Sequence, residues 1–235
     1  TCMAISPAGA VVARALLEVP APILKPPPII SVQPRNLTVV TGSVTILLCR
    51  GEGDPRPRVS WARKGQPLPG PDPRITLLGS STLQIDSVRV SDGGIYSCTA
   101  TSATGSTTVN CTLTVVLAGS PEAELIPPVA DPRDLPGPPR PPTMQARNAT
   151  SITLIWQPPE KEGASPIINY VVELWSGSKS WRILDEKIVS NNFIIGDLRP
   201  ETQHRAVVRA INKHGISAAS VISEPLVTGR GEGGD

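Results

Sequence analysis

The sequence is poor in the residues that do chemistry. Two histidines and four cysteines among 235 residues give no cluster with metal-ligand spacing. There is no serine–histidine–aspartate or cysteine–histidine set, and no glycine-rich phosphate loop. Gly51-Glu52-Gly53 sits among turn residues and is no nucleotide fingerprint. The chain therefore reads as a non-enzyme with no cofactor and no metal. Aromatic residues are scarce at 3%, and four of the seven are Trp. Such a supply suits small sandwiches that each hang on one or two central rings. A net charge of +2 gives no argument for nucleic acid or for membrane attraction. No stretch approaches the roughly 18–20 apolar residues that cross a bilayer, so this segment carries no anchor of its own.

Proline, by contrast, is abundant, with 27 residues clustered at 20–34, 55–73 and 121–142. Proline removes a backbone donor and breaks strands, so these clusters mark joints between strand-rich blocks. A repeat then sets the organisation. Cys2 to Gly9 aligns without a gap on Cys98 to Gly105, with Leu17 on Leu113 and Val19 on Val115. Each copy reads as strand, tight turn and strand, a hairpin signature. Residues 1–20 are thus expected to be the last hairpin of a domain that begins upstream, with the bridge partner of Cys2 upstream as well.

Residues 21–117 hold a complete copy. Cys49 ends an alternating strand, Trp61 follows twelve residues later, Leu83 and Ile85 alternate further on, and Asp92-Gly-Gly-Ile-Tyr96-Ser-Cys98 closes the series. That order is the immunoglobulin pattern, here of the I-set type. It implies a Cys49–Cys98 bridge between facing sheets with Trp61 packed on it, and a Tyr96 hydroxyl bonded to backbone at the strand corner. Arg74 is placed to pair with Asp92. Closing a loop of about 50 residues is worth roughly 4 kcal/mol in the chain-entropy account. The fourth cysteine, Cys111, aligns with Ala15 and reads as a small buried thiol. Residues 118–136, rich in proline and acidic residues, read as an extended, semi-rigid linker without a folded element.

Residues 137–230 carry a second pattern without cysteine. Ile152, Leu154 and Trp156 share one strand face; Ile168, Tyr170, Val172 and Leu174 alternate on the next; Leu198-x-Pro200-x-Thr202 leads into Ala206, Val208 and Ala210. This is the fibronectin type III pattern, so the fold class is all-β: an Ig-like sandwich followed by a fibronectin type III sandwich, its core built on Trp156 and Tyr170. Where that pattern has a tyrosine two residues after the corner threonine, this sequence has His204. The ring can donate one bond to the corner backbone, either as a pH-sensitive corner or as a tolerated replacement.

Three asparagines, Asn36, Asn110 and Asn148, stand in Asn-x-Ser/Thr sequons, and together with a bridged sandwich they favour a secretory route. Two surfaces are candidates for partners. Arg56, Arg58, Arg63 and Lys64 cluster around the second and third Ig strands and suit sulfated glycans such as heparan sulfate, or else form an ordinary solvated face. In the second sandwich Arg205, Val207 and Arg209 alternate outward beside Val171, Glu173 and Trp175. They form either a protein-binding patch with a Trp175–Arg contact or a self-contained surface ladder.

The chain also resembles the Roundabout family of guidance receptors over nearly its whole length. The segments that carry the resemblance are Ala15 to Val19, Pro26 to Ile30, Gly53-Asp54-Pro55, Asp72-Pro73-Arg74, Thr82 to Ile85, Ser91-Asp92, Asp134 to Pro139, Leu198-Arg199-Pro200 and Val208 to Asn212. Pro26–Ile30 and Asp134–Pro139 lie at junctions, where the fold constrains sequence least. The resemblance implies the end of a fourth Ig domain, a fifth Ig domain and a first fibronectin domain. The parent it implies is a single-pass type I receptor at the cell surface that binds Slit proteins in axon guidance and cell migration. The family's Slit site lies in the first Ig domains, so this segment is expected to act as stalk and protein-interaction module, through receptor self-association or a secreted ligand. Trp156 to Gly163 also resembles fibronectin domains of giant muscle scaffolds. Another Ig/fibronectin adhesion protein shares every domain-level feature.

Overall fold

The computed structural model describes residues 2–6, 9–13, 25–126, 132–178 and 180–231. An antiparallel hairpin opens the chain, β1 (Cys2–Ser6) with β2 (Gly9–Ala13), Cys2 opposite Ala13. Leu17 and Val19, which the repeat aligns with the later strand, lie outside the described residues.

Ten strands follow: β3 (Ile29–Val32), β4 (Leu37–Val40), β5 (Thr45–Leu47), β6 (Arg50–Glu52), β7 (Arg58–Arg63), β8 (Gln66–Leu68), β9 (Ile75–Leu78), β10 (Thr82–Ile85), β11 (Gly94–Ser102) and β12 (Gly105–Val116). One sheet runs β4-β12-β11-β7-β8; the other runs β5-β10-β9, with β3 and β6 paired beside it. The pairing of β4 with β12 is parallel, with Leu37 opposite Leu113. Alternation decides the core: Leu47 and Cys49, Leu83 and Ile85, Tyr96 and Cys98 all turn inward around Trp61. The Cys49–Cys98 bridge joins the sheets across a Cα separation of 6.6 Å, and Cys98 stands opposite Trp61 in the β11–β7 ladder. Cys111 is free and buried, and burial pushes its thiol up to about 11.

The linker differs from its expected extended form. One helical turn, α1 (Pro121–Glu124), begins at Ser120, whose Oγ accepts the Ala123 N–H at 3.3 Å. The cause is local: an N-cap serine, a proline at the first helical position and acids in the first turn.

The second sandwich comprises β13 (Thr143–Arg147), β14 (Ile152–Ile155), β15 (Ile167–Trp175), β16 (Arg182–Ile188), β17 (Asn192–Ile195), β18 (Gln203–Asn212), β19 (Gly215–Ile216) and β20 (Leu226–Val227). Its sheets are β13-β14-β17 and β16-β15-β18-β19, with β20 also on β18. Trp156 and Tyr170 meet edge to face at 5.5 Å inside a core of Ile152, Leu154, Val172, Leu174 and Val208. Between β19 and β20 the last strand abandons the two-residue period. The N–H groups of Ser217, Ser220 and Ser223 donate to the carbonyls of Ala210, Val208 and Ala206 at 2.8–2.9 Å. Their hydroxyl oxygens accept the N–H groups of the same three residues at 2.9–3.0 Å. A serine every third residue thus completes the edge of β18 and turns Ala219 and Ile222 toward the Ig domain.

The two sandwiches lie side by side and run in opposite directions. The Pro27 carbonyl accepts the Trp181 indole N–H, beside the start of β18; Ile30 and Ser31 sit on Arg209 at its middle; Arg35 reaches Gly215 just past its end. β3 therefore runs parallel to β18. The chain passes from one domain to the other at the Gly215 end, where the Asn212 Nδ2 donates to the Asp134, Glu162 and Ser165 carbonyls. The incoming strand at Pro27 and the outgoing one after β20 share the opposite end.

Candidate functional site

The Ig corner is a closed network. Arg74 binds Asp92 in a two-pronged pair, Nη1–Oδ2 at 2.9 Å and Nη2–Oδ1 at 3.2 Å, and also reaches Asp72 at 2.7 Å. Asp92 further accepts the Arg89 N–H at 2.8 Å, while the Tyr96 hydroxyl donates to the Asp92 carbonyl at 2.8 Å. Burial pushes the Asp92 carboxyl up, but the bonds from Arg74 and Arg89 and the charges of Arg74 and Arg63 outweigh it and leave it below the usual range. Burial raises Tyr96 to about 12, against the neighbouring charge of Arg63, which lowers it. Arg63 belongs to this corner: it donates to the carbonyls of Ser91 and Gly93 and lies 5.5 Å over the Tyr96 ring.

That placement corrects the expected basic cluster. Arg63 is spent on the corner, while Arg56 and Arg58 join Arg50, which the sequence reading did not include, around a groove of about 1220 Å³. The groove also takes in Glu52, Ser80 and Ser81. Glu52 stands 3.5 Å from Arg50, so the groove's lining holds one carboxylate beside three arginines. Lys64 is exposed beside Gly65, outside the groove lining.

The second expected patch is corrected more deeply. Alternation does turn Glu173, Trp175, Val207 and Arg209 away from the second core, but they do not meet solvent. Trp175 is 3% exposed and Arg209 1%. The Ig domain covers this face. Arg209 pairs with Glu173 at 2.6 Å and donates to the Ser31 and Ile30 carbonyls at 2.7 and 2.6 Å. The Ala219 N–H donates to Ser31 O at 2.9 Å. Ile29 completes an apolar cluster with Val207, Ala219, Trp181 and Ile222. In place of a Trp175–Arg contact, the Trp175 indole N–H donates to Ser178 O and Arg205 donates to Ser223 O. β3 serves both domains: Ile30 enters the Ig core and Ile29 the junction. Pairing a buried charge with a charge and two carbonyls is what makes its burial tolerable.

The three sequon asparagines are exposed. The Asn36 Oδ1 accepts the Thr112 N–H at 2.8 Å, and the Asn148 Oδ1 accepts those of Thr150 and Ser151. In both cases the oxygen is engaged, and among the described residues nothing bonds the amide nitrogen. His204 is buried between two hydroxyls, Nε2 at 2.9 Å from Thr202 Oγ1 and Nδ1 at 2.7 Å from Ser176 Oγ. Thr202 gives its own proton to Arg199 O, so Nε2 carries the ring proton and Ser176 donates to Nδ1. The expected direct bond to corner backbone is thus relayed through Thr202. Burial lowers the ring's pKa.

No group of three or more metal-ligating side chains occurs among the described residues. Residues 27–102 match the immunoglobulin domain, and residues 137–225 match the fibronectin type III domain. Along 97% of its length the chain is 38% identical to human Roundabout homolog 2, 36% identical to human Roundabout homolog 3 and 31% identical to the Caenorhabditis elegans protein sax-3. The chain belongs to the Roundabout family. It spans about 16–18% of the length of these relatives. A solved structure of titin domains A168–A170 is 24% identical over 97% of the chain and 73% of that structure, with a TM-score of 0.40. The Roundabout matches extend through both sandwiches and the joint between them, and the two matched domain types are binding and structural modules, not enzymes.

Proposed function

We propose that this chain is the fifth Ig and first fibronectin segment of a Slit-receptor-type guidance receptor, preceded by the end of a fourth Ig domain. In this reading it lies on the extracellular side of the plasma membrane as part of a single-pass type I parent and acts as stalk and protein-interaction module in axon guidance and cell migration. The observation that carries the reading is likeness to Roundabout proteins across 97% of the chain, junctions included. The Cys49–Cys98 bridge and the amide nitrogens of Asn36 and Asn148, which nothing among the described residues bonds, with exposed Asn110, support an oxidising, glycosylating route. A muscle scaffold would carry neither bridge nor glycan. The test is the intact mass of the chain secreted from animal cells, thiols blocked without reductant, before and after deglycosylation. Loss of glycan mass with Cys49 and Cys98 unlabelled supports the receptor; unglycosylated chain with both thiols labelled overturns it.

A second, narrower reading concerns heparan sulfate. Arg50, Arg56 and Arg58 around one open groove favour an anionic chain. Arg56→Ala with Arg58→Ala should elute from heparin at lower salt than the parent; unchanged elution rejects the site.

A further inference from the structure

We infer that the two sandwiches form a folded length reserve that tension opens before either sandwich unfolds. The inference rests on the stalk reading for its biological setting, but its physics rests on where the ends lie. The incoming chain meets the junction at Pro27, bonded to Trp181, and the outgoing chain leaves after β20, whose Val227 pairs with Gln203 at the start of β18. Both therefore emerge at one end, and the connection between domains lies at the other, latched by Asn212. A pull on the two ends loads the junction from that open end. The Pro27–Trp181 bond is met first, then the Arg209 and Ala219 bonds to Ile30 and Ser31, and last the Arg35 side chain lying beside Gly215.

Loading in that order breaks bonds one row at a time. The sandwiches resist differently. The pull on β3 must tear its ladder with β6, and Cys49–Cys98 ties the Ig sheets covalently. The outgoing end is held by β20, by Gly229 bonds to Asn148 and Glu201, and by Thr228 bonds to Thr202 and Arg199. The junction carries no covalent tie and no strand ladder of its own, and its centre is one guanidinium. Once it opens, the domains swing into line. With strands of about ten residues at ~3.3 Å per residue, the ends separate by about 65 Å without any loss of fold. Closing is favoured again when tension falls, because the linker keeps the two faces at high effective concentration. The stalk thus has a short form and a long form, and Arg209 is the positioning residue that holds the short one.

The experiment is optical-tweezers stretching of the full chain with handles at its two termini. The expected record shows a first, reversible extension step at low force, followed at higher force by unfolding of the sandwiches. Arg209→Ala should shorten the lifetime of the closed form on the order of a hundredfold, since two charge-assisted bonds to carbonyls are lost, and leave the later steps in place. Where Arg209→Ala fails to fold because Glu173 is left unpaired, Arg209→Met with Glu173→Gln supplies the same test. Ser31→Cys with Ala219→Cys should abolish the first step until reductant is added. A parent whose first event is loss of a sandwich overturns the inference, as does a first step that survives unchanged in these variants. The readout needs no ligand or glycan, so its failure is separable from failure of the receptor reading.

Discussion

Replacing Arg74 by methionine tests the corner network. The side chain keeps its length and apolar stem, so the loss is electrostatic. Asp92, 3% exposed, would keep the Arg89 N–H but lose both prongs of the pair. Breaking one partner of a buried pair costs about 3–5 kcal/mol. Arg63, 3.8 Å from Asp92 Oδ1, remains as partial compensation, which favours the lower bound. About 3 kcal/mol corresponds to a fall of roughly 12–20 °C in Tm for a domain of about 100 residues. Hydrogen exchange at the Ig core strands β7, β10 and β11 during urea unfolding reports the Ig domain. The pH dependence adds a second signature. Asp92 ionises below its ordinary value in the folded state, so its contribution is present above about pH 4 and is lost as pH falls through the folded value. In Arg74→Met, burial is no longer outweighed, the carboxyl rises, and the loss of stability that Asp92 contributes on acidification flattens or reverses. A shift under 1 kcal/mol with an unchanged pH profile would refute the reasoning.

Three further outcomes follow from the second sandwich. Burial lowers the His204 pKa, so the unfolded chain binds the proton more readily. The sandwich should lose stability as pH drops below about 6.5, and His204→Gln should flatten that slope in pH-dependent urea titrations. Gly163 has φ +81°, and a Cβ there would stand 2.3 Å from Asp134 O; Gly163→Ala should lower the second sandwich's Tm by several degrees and loosen the latch at Asn212, read by hydrogen exchange at residues 212–215. Ser220→Ala removes the acceptor of the buried Val208 N–H; it should cost about 1–3 kcal/mol, and equal stability by calorimetry would argue against the serine ladder.

Much of the fold was legible because its signals are local. A cysteine, a tryptophan and the Asp92-to-Cys98 string each lie within one or two strands, and period-two alternation turns Trp61, Tyr96 and Cys98 inward without knowledge of the partner sheet. The same rule located the outward face of Glu173, Trp175 and Arg209 but could not say what covers it. The covering strand is 178 positions away from Arg209 at Ser31, and alternation carries no information about a neighbouring domain. Arg63 was misplaced for a related reason: a cation on an outer strand reads as solvated until the Ser91 and Gly93 carbonyls are seen beneath it. Two missed features did leave a trace. Ser120-Pro121-Glu122 is a helix start, and serines at 217, 220 and 223 announce a three-residue period.

Side-by-side docking of the two sandwiches through Arg209 is the claim on which most of this account depends, and small-angle X-ray scattering of the full chain in solution measures it directly. A radius of gyration close to the roughly 18 Å of a compact chain of this length, with a single maximum in the pair-distance distribution, is the predicted result. A markedly larger radius with a second maximum at one domain length, unchanged by Arg209→Ala, would contradict it.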